Sequence, residues 1–132
     1  MASITHDFAV EASVDKAWKA LSDVGAVNQL ITFLGPVTVD GDVRTVDMGE
    51  FLIKELIVAV DPEQRRVAYS IKESPYELEH HHSSMQILPA ADAADGCRMV
   101  WTIDVKPDAT ADEMAPGVVN AVEAIRKALA GE

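Results

Sequence analysis

The sequence lacks several features that mark common classes of protein. It has a single cysteine, Cys97, so no disulfide can form within the chain and a reducing compartment is expected. No apolar run approaches the roughly 20 residues that a membrane-spanning helix needs. The chain also has no glycine-rich phosphate loop and no dinucleotide-binding fingerprint. We therefore expect a cytoplasmic protein that does not insert into membranes and uses no nucleotide cofactor.

Positive charge is also scarce. The chain has 11 Lys and Arg residues against 22 Asp and Glu residues, which gives a formal net charge of −11. Such a chain repels the phosphates of nucleic acids and the anionic head groups of membranes. Its 132 residues suffice for one sizeable core and are too few for two. We expect a single domain, residues 1–132, that does not bind nucleic acid.

Hydrophobic periodicity predicts three helices. The first begins after Ser13, a favoured N-cap residue, and a second, short helix lies within Val27–Leu34. Apolar residues at helical spacing predict a last helix from about Asp112 to Ala130. Because proline is tolerated only in the first turn of a helix, this helix is predicted to start properly near Pro116.

Alternating runs predict seven strands in the rest of the chain. Short connections make neighbouring strands antiparallel, and Ala90–Gly96 reads as a hairpin loop. The order is strand, two helices, six strands and one helix, so the last helix is the only element long enough to cover the sheet. The predicted strands lie at Ser3–Val10, Val37–Val39, Val43–Met48, Phe51–Val60, Arg66–Glu73, His80–Leu88 and Cys97–Lys106.

The stretch Val43–Asp61 predicts a tight hairpin, because alternating apolar runs flank Gly49-Glu50. Counting outward from this turn, Arg44 lies directly opposite Glu55. Since side chains alternate between the faces of a strand, the two charges share one face. The pattern of the first strand favours this face as the interior, whereas the second strand barely decides. The same face carries Val46, Met48, Phe51, Ile53, Ile57 and Ala59.

Two charges on an apolar face are costly unless they are paired, hydrated or used. One interpretation of Arg44 and Glu55 is a structural ion pair across the strands. The other is a pair of polar groups that orient one end of a ligand in an apolar pocket. The sequence leaves both interpretations open.

Three consecutive histidines, His80, His81 and His82, suggest a metal site. On a strand, however, the first and third face one way and His81 faces the other, which leaves an incomplete set of ligands. We therefore predict no metal site. His81 shares its face with Met85 and Ile87, so it is a candidate hydrogen-bonding group or general base in a cavity, although a structural histidine is the simpler interpretation.

Several segments together resemble a known superfamily. They are A-S-V-D-K-A-W-K-A-L-S-D at Ala12–Asp23, V-R at Val43-Arg44, K-E-L-I-V-A-V-D-P-E-Q-R-R-V-A-Y-S-I at Lys54–Ile71, and M-Q-I-L-P and M-V-W-T near Met85 and Trp101. In this order and spacing they are similar to the START-like SRPBCC superfamily, in particular its polyketide cyclase and dehydrase branch.

The resemblance implies an α+β helix-grip fold, in which a curved, seven-stranded antiparallel sheet surrounds a long C-terminal helix and a hydrophobic ligand cavity lies between them. In similar ligand-binding members the glutamate that matches Glu55 points into the cavity. The chain departs from many relatives in one respect, because Val27–Leu30 occupies the place of their tryptophan after the first helix. This departure leaves the shape of that side of the cavity open.

The leading hypothesis is a carrier that binds a small hydrophobic molecule, such as a lipid or a polyketide-like compound, without metal or cofactor. The polar contacts would be Arg44, Glu55 and His81, and the walls would come from Phe8, Val46, Ile53, Tyr69, Met85, Trp101, Met114, Val118 and Val122.

Two alternatives remain. The first is a cyclase or aromatase that acts in the same cavity, where His81, Tyr69 or Glu55 moves protons and the cavity holds a reactive chain in one geometry. The second is an interaction module, because Leu52, Leu56 and Val58 would form an apolar strip on the outer face of the sheet. The oligomeric state is then a monomer or a homodimer.

Overall fold

The computed structural model describes residues 1–90 and 96–131. Within these residues, a curved antiparallel sheet of seven strands, two short helices and a long C-terminal helix form an α+β helix-grip fold. The predicted fold class and the predicted order of strands and helices are confirmed. The predicted hairpin loop at Ala90–Gly96 falls largely outside the described residues.

The strands follow one another along the sheet with a single exception. Their spatial order is β1-β7-β6-β5-β4-β3-β2, so only β1 pairs with a strand distant in sequence. The strands are β1 (Ala2–Val10), β2 (Val37–Asp40), β3 (Val43–Asp47), β4 (Leu52–Asp61), β5 (Arg66–Glu73), β6 (His80–Pro89) and β7 (Cys97–Lys106). The helices are α1 (Val14–Ser22), α2 (Val27–Leu30) and α3 (Asp108–Ala130), with a 3-10 turn at Val24–Ala26.

The hairpin between β3 and β4 has the predicted register. Arg44 pairs with Glu55, and Val46 pairs with Ile53. The turn is closed by a hydrogen bond from the Met48 amide to the Phe51 carbonyl. Both charges lie on the concave, interior face, where Arg44 is 4% and Glu55 8% exposed.

The two short helices begin as their sequences suggest, and the second ends earlier than predicted. Ser13 caps α1 by accepting a hydrogen bond from the Lys16 amide at 3.1 Å. Helix α2 ends at Leu30 rather than near Leu34. The residues that follow α2 instead turn toward Gly35, which approaches the backbone of Asp47 so closely that a Cβ there would lie 1.9 Å from its carbonyl oxygen.

The predicted start of the last helix is wrong, because α3 begins at Asp108 and contains Pro116 in its interior. Proline is normally disfavoured in the interior of a helix, since it lacks an N–H and crowds the preceding turn. Here the residues before Pro116 are anchored by tertiary contacts. The Thr110 hydroxyl donates a hydrogen bond to the Glu77 carbonyl at 2.7 Å, and Met114 is buried against the core.

The core lies between the concave face of the sheet and α3. It includes Cys97, which is 1% exposed and whose thiol pKa is raised by burial. Its fully buried side chains include Ile87, Met99, Ile103, Val105 and Ile125. Among the described residues, no helix has both the length and the apolarity needed to cross a bilayer.

The three residues of the predicted apolar strip differ in exposure. Leu52 and Val58 are exposed, and Leu56 is half-buried. The pairing of β4 with β5 shifts between Ile57 and Ala59, so the simple alternation of faces does not continue through Val58.

Candidate functional site

A cavity of about 190 Å³ lies between the concave face of the sheet, the two short helices and α3. Its lining is mainly apolar, with five side chains that carry polar atoms. These five are Arg44, Glu55, Tyr69, Tyr76 and Trp101, and the apolar lining includes Leu21, Leu30, Ile31, Phe33, Leu34, Val46, Ile53, Val67, Met85, Met114, Val118 and Ala121.

Arg44 and Glu55 form a buried ion pair in the wall of this cavity. Arg44 Nε donates to Glu55 Oε1 at 2.8 Å, and Arg44 Nη1 donates to the Val24 carbonyl at 3.1 Å. The guanidinium carbon lies 5.2 Å from the centre of the Tyr69 ring, close enough for a cation–π contact. Arg44 Nη2 and Glu55 Oε2 have no hydrogen-bond partner among the described residues, so one donor and one acceptor are left for a molecule in the cavity.

The protonation of Glu55 depends on Arg44. Burial raises the pKa of the Glu55 carboxyl, while the charge of Arg44 and its hydrogen bond act in the opposite direction. The guanidinium therefore favours the ionised carboxylate in surroundings that favour the neutral acid. Removing the guanidinium would leave a buried carboxyl without its partner.

Tyr69 contributes a protonated hydroxyl to the cavity. Burial raises the pKa of Tyr69 to about 12, and the charge of Glu55 acts in the same direction. The polar side chains of Ser83 and Trp101 and the charge of Arg44 oppose this rise. Trp101 Nε1 donates to Ser83 Oγ at 2.8 Å, so the indole N–H of this lining residue is bound within the wall.

Most of the candidate ligand-binding residues line the cavity, and three do not. Phe8 and Val122 are buried in the core next to it. His81 is 3% exposed and borders a separate, polar depression between the end of β5 and the start of β6. The candidates in the lining are Arg44, Val46, Ile53, Glu55, Tyr69, Met85, Trp101, Met114 and Val118.

His81 occupies the point where β5 and β6 diverge. The paired residues of these strands end at Tyr69 and Ser83. Beyond that pair, His81 Nδ1 accepts a hydrogen bond from the Ile71 amide at 3.0 Å, and the Ser70 hydroxyl donates to the His81 carbonyl at 2.5 Å. We call this arrangement the β5–β6 fork. These two side-chain hydrogen bonds connect β5 and β6 where the pairing of their backbones has ended.

The imidazole of the β5–β6 fork is neutral. The pKa of His81 is lowered to about 4, first by burial and then by the neighbouring charges of His82, His80 and Lys72. A neutral ring suits the observed bond, because Nδ1 can accept from an amide only when it carries no proton.

The histidine run does not assemble a metal centre in the described parts of the chain. No group of three or more His, Cys, Asp or Glu side chains is arranged there to hold a metal ion. In the register of β6 with β7, His82 lies opposite Asp104 and His80 lies opposite Lys106.

Some residues of the cavity lining were not predicted from the sequence. Phe33 and Leu34 follow the end of α2, and Tyr76 belongs to the connection between β5 and β6. Such irregular segments have no hydrophobic period from which an inward direction can be read. Gly117 of α3 faces Tyr76, because a Cβ on Gly117 would lie 4.0 Å from the Tyr76 hydroxyl.

A curved sheet that surrounds a long helix over an apolar cavity defines a helix-grip domain. A comparison with known families identifies this one. The model of the polyketide cyclase / dehydrase and lipid transport family matches residues 1–131, and the chain belongs to that family. At family level, this membership supports binding of a hydrophobic ligand. Among curated proteins, none matches the chain.

Solved structures with the same fold share little sequence with the chain. The protein XoxI from Bacillus cereus is 18% identical, with a TM-score of 0.87 over 98% of this chain and 96% of that one. A solution structure from Thermobifida fusca is 24% identical, with a TM-score of 0.82 over 98% and 91%. Norcoclaurine synthase from Thalictrum flavum, in complex with dopamine and hydroxybenzaldehyde, is 21% identical, with a TM-score of 0.67 over 96% and 84%. At these identities the comparisons establish the fold alone.

Proposed function

We propose that the protein binds a small, mainly apolar molecule in the cavity between the sheet and α3. The observation that carries this proposal is an apolar cavity whose wall contains one buried ion pair with an unused donor and an unused acceptor. Ligand sites typically combine an apolar lining with a few convergent polar groups that fix orientation. Family membership supports the same class of ligand.

The size of the cavity limits the ligand. An engineered protein cavity of roughly 150 Å³ binds benzene. At about 190 Å³, this cavity suits a molecule of one or two rings better than a lipid with long acyl chains. The structure of norcoclaurine synthase, which has the same fold, contains dopamine and hydroxybenzaldehyde, and each of these has one ring.

The charge of the wall limits the ligand further. Arg44 and Glu55 neutralise each other, since their charged atoms lie 2.8 Å apart and both side chains are buried. An ionised ligand would add an unbalanced charge to this low-dielectric site, which is costly. We therefore expect a neutral ligand, oriented by Arg44 Nη2 and Glu55 Oε2.

Binding is favoured over catalysis as the activity of this cavity. Of the groups that a cyclase would use to move protons, Glu55 is held in an ion pair and Tyr69 has a pKa of about 12. His81 is not part of the lining. None of the three is therefore a free base near neutral pH.

The experiment that tests this proposal fills the cavity. Ethylbenzene serves as a one-ring probe, and its binding is followed by NMR titration of the backbone amides. Val118→Phe directs a ring into the cavity, because Val118 lines it and is 6% exposed. We expect the affinity for ethylbenzene to fall by about tenfold or more, since the added ring occupies the ligand's volume.

The matched control is Val119→Phe. Val119 is the next residue of the same helix, is 49% exposed and does not line the cavity. This variant should bind ethylbenzene like the wild type. Equal binding by both variants, or no binding by the wild type, would contradict the proposed function. Native mass spectrometry is an independent test. A molecule that copurifies with the wild type and with Val119→Phe should be absent from Val118→Phe.

A further inference from the structure

Tyr76 belongs to the connection between β5 and β6, which is held by hydrogen bonds on both sides of this residue. The Tyr76 amide donates to Ser74 Oγ at 3.2 Å. The carbonyl of the next residue, Glu77, accepts from the Thr110 hydroxyl of α3 at 2.7 Å. The backbone of Tyr76 is therefore fixed beside α3.

Gly117 shows where the hydroxyl of this tyrosine lies. Thr110 and Gly117 are about two helical turns apart, so they lie on the same side of α3. A Cβ on Gly117 would lie 4.0 Å from the Tyr76 hydroxyl. Tyr76 borders both the cavity and the polar depression, whereas Gly117 borders the cavity and not the depression. The hydroxyl therefore lies on the cavity side of Tyr76.

The Tyr76 hydroxyl is available to a molecule in the cavity. It makes no hydrogen bond within residues 1–90 and 96–131, where every fully buried side-chain oxygen has a partner. The oxygen is therefore not fully buried, and Gly117 has no side chain to cover it. The indole N–H of Trp101, in contrast, is already bound to Ser83.

This hydroxyl and the ion pair belong to opposite walls of the cavity. Arg44 and Glu55 lie on β3 and β4 of the sheet, whereas the Tyr76 hydroxyl lies against α3. All three residues line the same cavity. A molecule between sheet and helix can therefore meet the ion pair at one end and the hydroxyl at the other.

We infer that Tyr76 is a second polar contact, so that the ligand carries a neutral polar group at each end of an apolar body. The inference rests on the proposed function and narrows the class of ligand. Since a hydroxyl both donates and accepts, it can pair with either kind of neutral group. A ligand that covers this hydroxyl without bonding to it leaves a polar group unpaired, which is costly.

Three probes with one ring test this inference. p-Xylene has no hydroxyl group, 4-methylbenzyl alcohol has one and 1,4-benzenedimethanol has two, and NMR titration of the backbone amides gives their affinities. Hydrogen bonds to charged groups are stronger than those between neutral groups. The single hydroxyl group of the mono-alcohol should therefore bind at Arg44 and Glu55, and the second hydroxyl group of the diol is left for Tyr76.

Tyr76→Phe removes the hydroxyl and keeps the ring. We expect the ratio of diol affinity to mono-alcohol affinity to fall by about fivefold, because one hydroxyl group of the diol loses its partner. The ratio of mono-alcohol affinity to p-xylene affinity should not change. The free energy of unfolding should also stay the same, since the hydroxyl has no partner in the described parts of the protein. A structural hydroxyl would lower it on removal.

Gly117→Val tests the same contact without altering Tyr76. The methyl groups of the valine would cover or displace the hydroxyl, so the ratio of diol to mono-alcohol affinity should fall as in Tyr76→Phe. Gly117→Ala is the matched control, because its Cβ would lie at an ordinary contact distance of 4.0 Å and leave the hydroxyl accessible. Gly117 is exposed and alanine suits a helix better than glycine, so this variant should fold and keep the wild-type ratio.

The outcomes distinguish this inference from the proposed function. If the wild type binds none of the three probes, the proposed function fails and the inference fails with it. If p-xylene binds, the proposed function is supported. The inference alone is then wrong if the wild type does not bind the diol, or if Tyr76→Phe leaves the ratio of diol to mono-alcohol affinity unchanged. An equal fall of this ratio in Gly117→Ala and Gly117→Val would also contradict it.

Discussion

The β5–β6 fork and the Arg44–Glu55 pair both bury polar groups within the sheet. They differ in whether a hydrogen-bond donor or acceptor is left without a partner. In the fork, the bonds from Ile71 and Ser70 close the gap between two diverging strands. In the ion pair, Arg44 Nη2 and Glu55 Oε2 line a cavity and have no partner among the described residues. Among the described residues, no fully buried side-chain nitrogen or oxygen lacks a partner, so these two atoms are accessible to a molecule in the cavity. The comparison therefore separates a structural arrangement, complete in itself, from a candidate binding site that a ligand would complete.

The largest expected effect concerns the ion pair. Arg44→Leu leaves a buried carboxylate unpaired and should lower the free energy of unfolding by about 3–5 kcal/mol near neutral pH. The double variant Arg44→Leu/Glu55→Leu removes both charges and should be clearly more stable than the single variant. Urea unfolding followed by circular dichroism measures both. A double variant no more stable than the single one would show that the pair is not buried as described.

The second effect concerns how the free energy of unfolding depends on pH through His81 of the fork. The pKa of His81 is about 4 in the folded protein, below the usual 6.5 of an unfolded chain. As pH falls below 6.5, the unfolded chain takes up a proton that the folded protein does not. The fold therefore loses up to about 3 kcal/mol by pH 4, with no further change from this group at lower pH.

The variant His81→Asn isolates this contribution. Its side-chain oxygen can still accept from the Ile71 amide, and it does not titrate. Urea unfolding at pH 7.5 and pH 4.5 should show a smaller loss of stability on acidification in His81→Asn than in the wild type. His6→Gln, a change at a half-buried histidine outside the fork, is the control. If all three proteins lose the same unfolding free energy between pH 7.5 and pH 4.5, protonation of His81 is not the cause of the loss.

The smallest effect concerns the second bond of the fork. Ser70→Ala removes the hydroxyl that donates to the His81 carbonyl and should lower the free energy of unfolding by about 1 kcal/mol. Ser84→Ala, a change at a less buried serine of β6, should cost less. Because the fork lies outside the cavity, neither variant should change the affinity for ethylbenzene. A marked loss of affinity in Ser70→Ala would mean that fork and cavity are coupled.

The sequence predicted the ion pair because its position depends on local rules. The turn at Gly49-Glu50 sets the register, and the two-residue period of a strand sets the face. Arg44 and Glu55 therefore lie where the pattern predicted, opposite each other and inward. His81 obeys the same period, since it is buried. Its exclusion from the cavity lining follows from the divergence of β5 and β6, which no local pattern reveals.

Other features depended on tertiary contacts that the sequence does not display. Pro116 argued for a late start of α3, but Thr110 and Met114 anchor the preceding turns. Tyr76 reaches the cavity from an irregular connection. The volume of the cavity reflects how far all of these side chains fill the space beneath α3, so it could not be predicted from composition or periodicity.

The burial of Cys97 has a practical consequence. This cysteine is the only one in the sequence, is 1% exposed in the fold, and has a thiol pKa raised by burial. Since thiolates are the reactive species, the native protein should react only slowly with maleimides. A single cysteine introduced at exposed Val119 would then take up a fluorophore selectively, next to the cavity-lining Val118. The wild-type chain is thus already a suitable background for site-specific optical reporters of ligand entry.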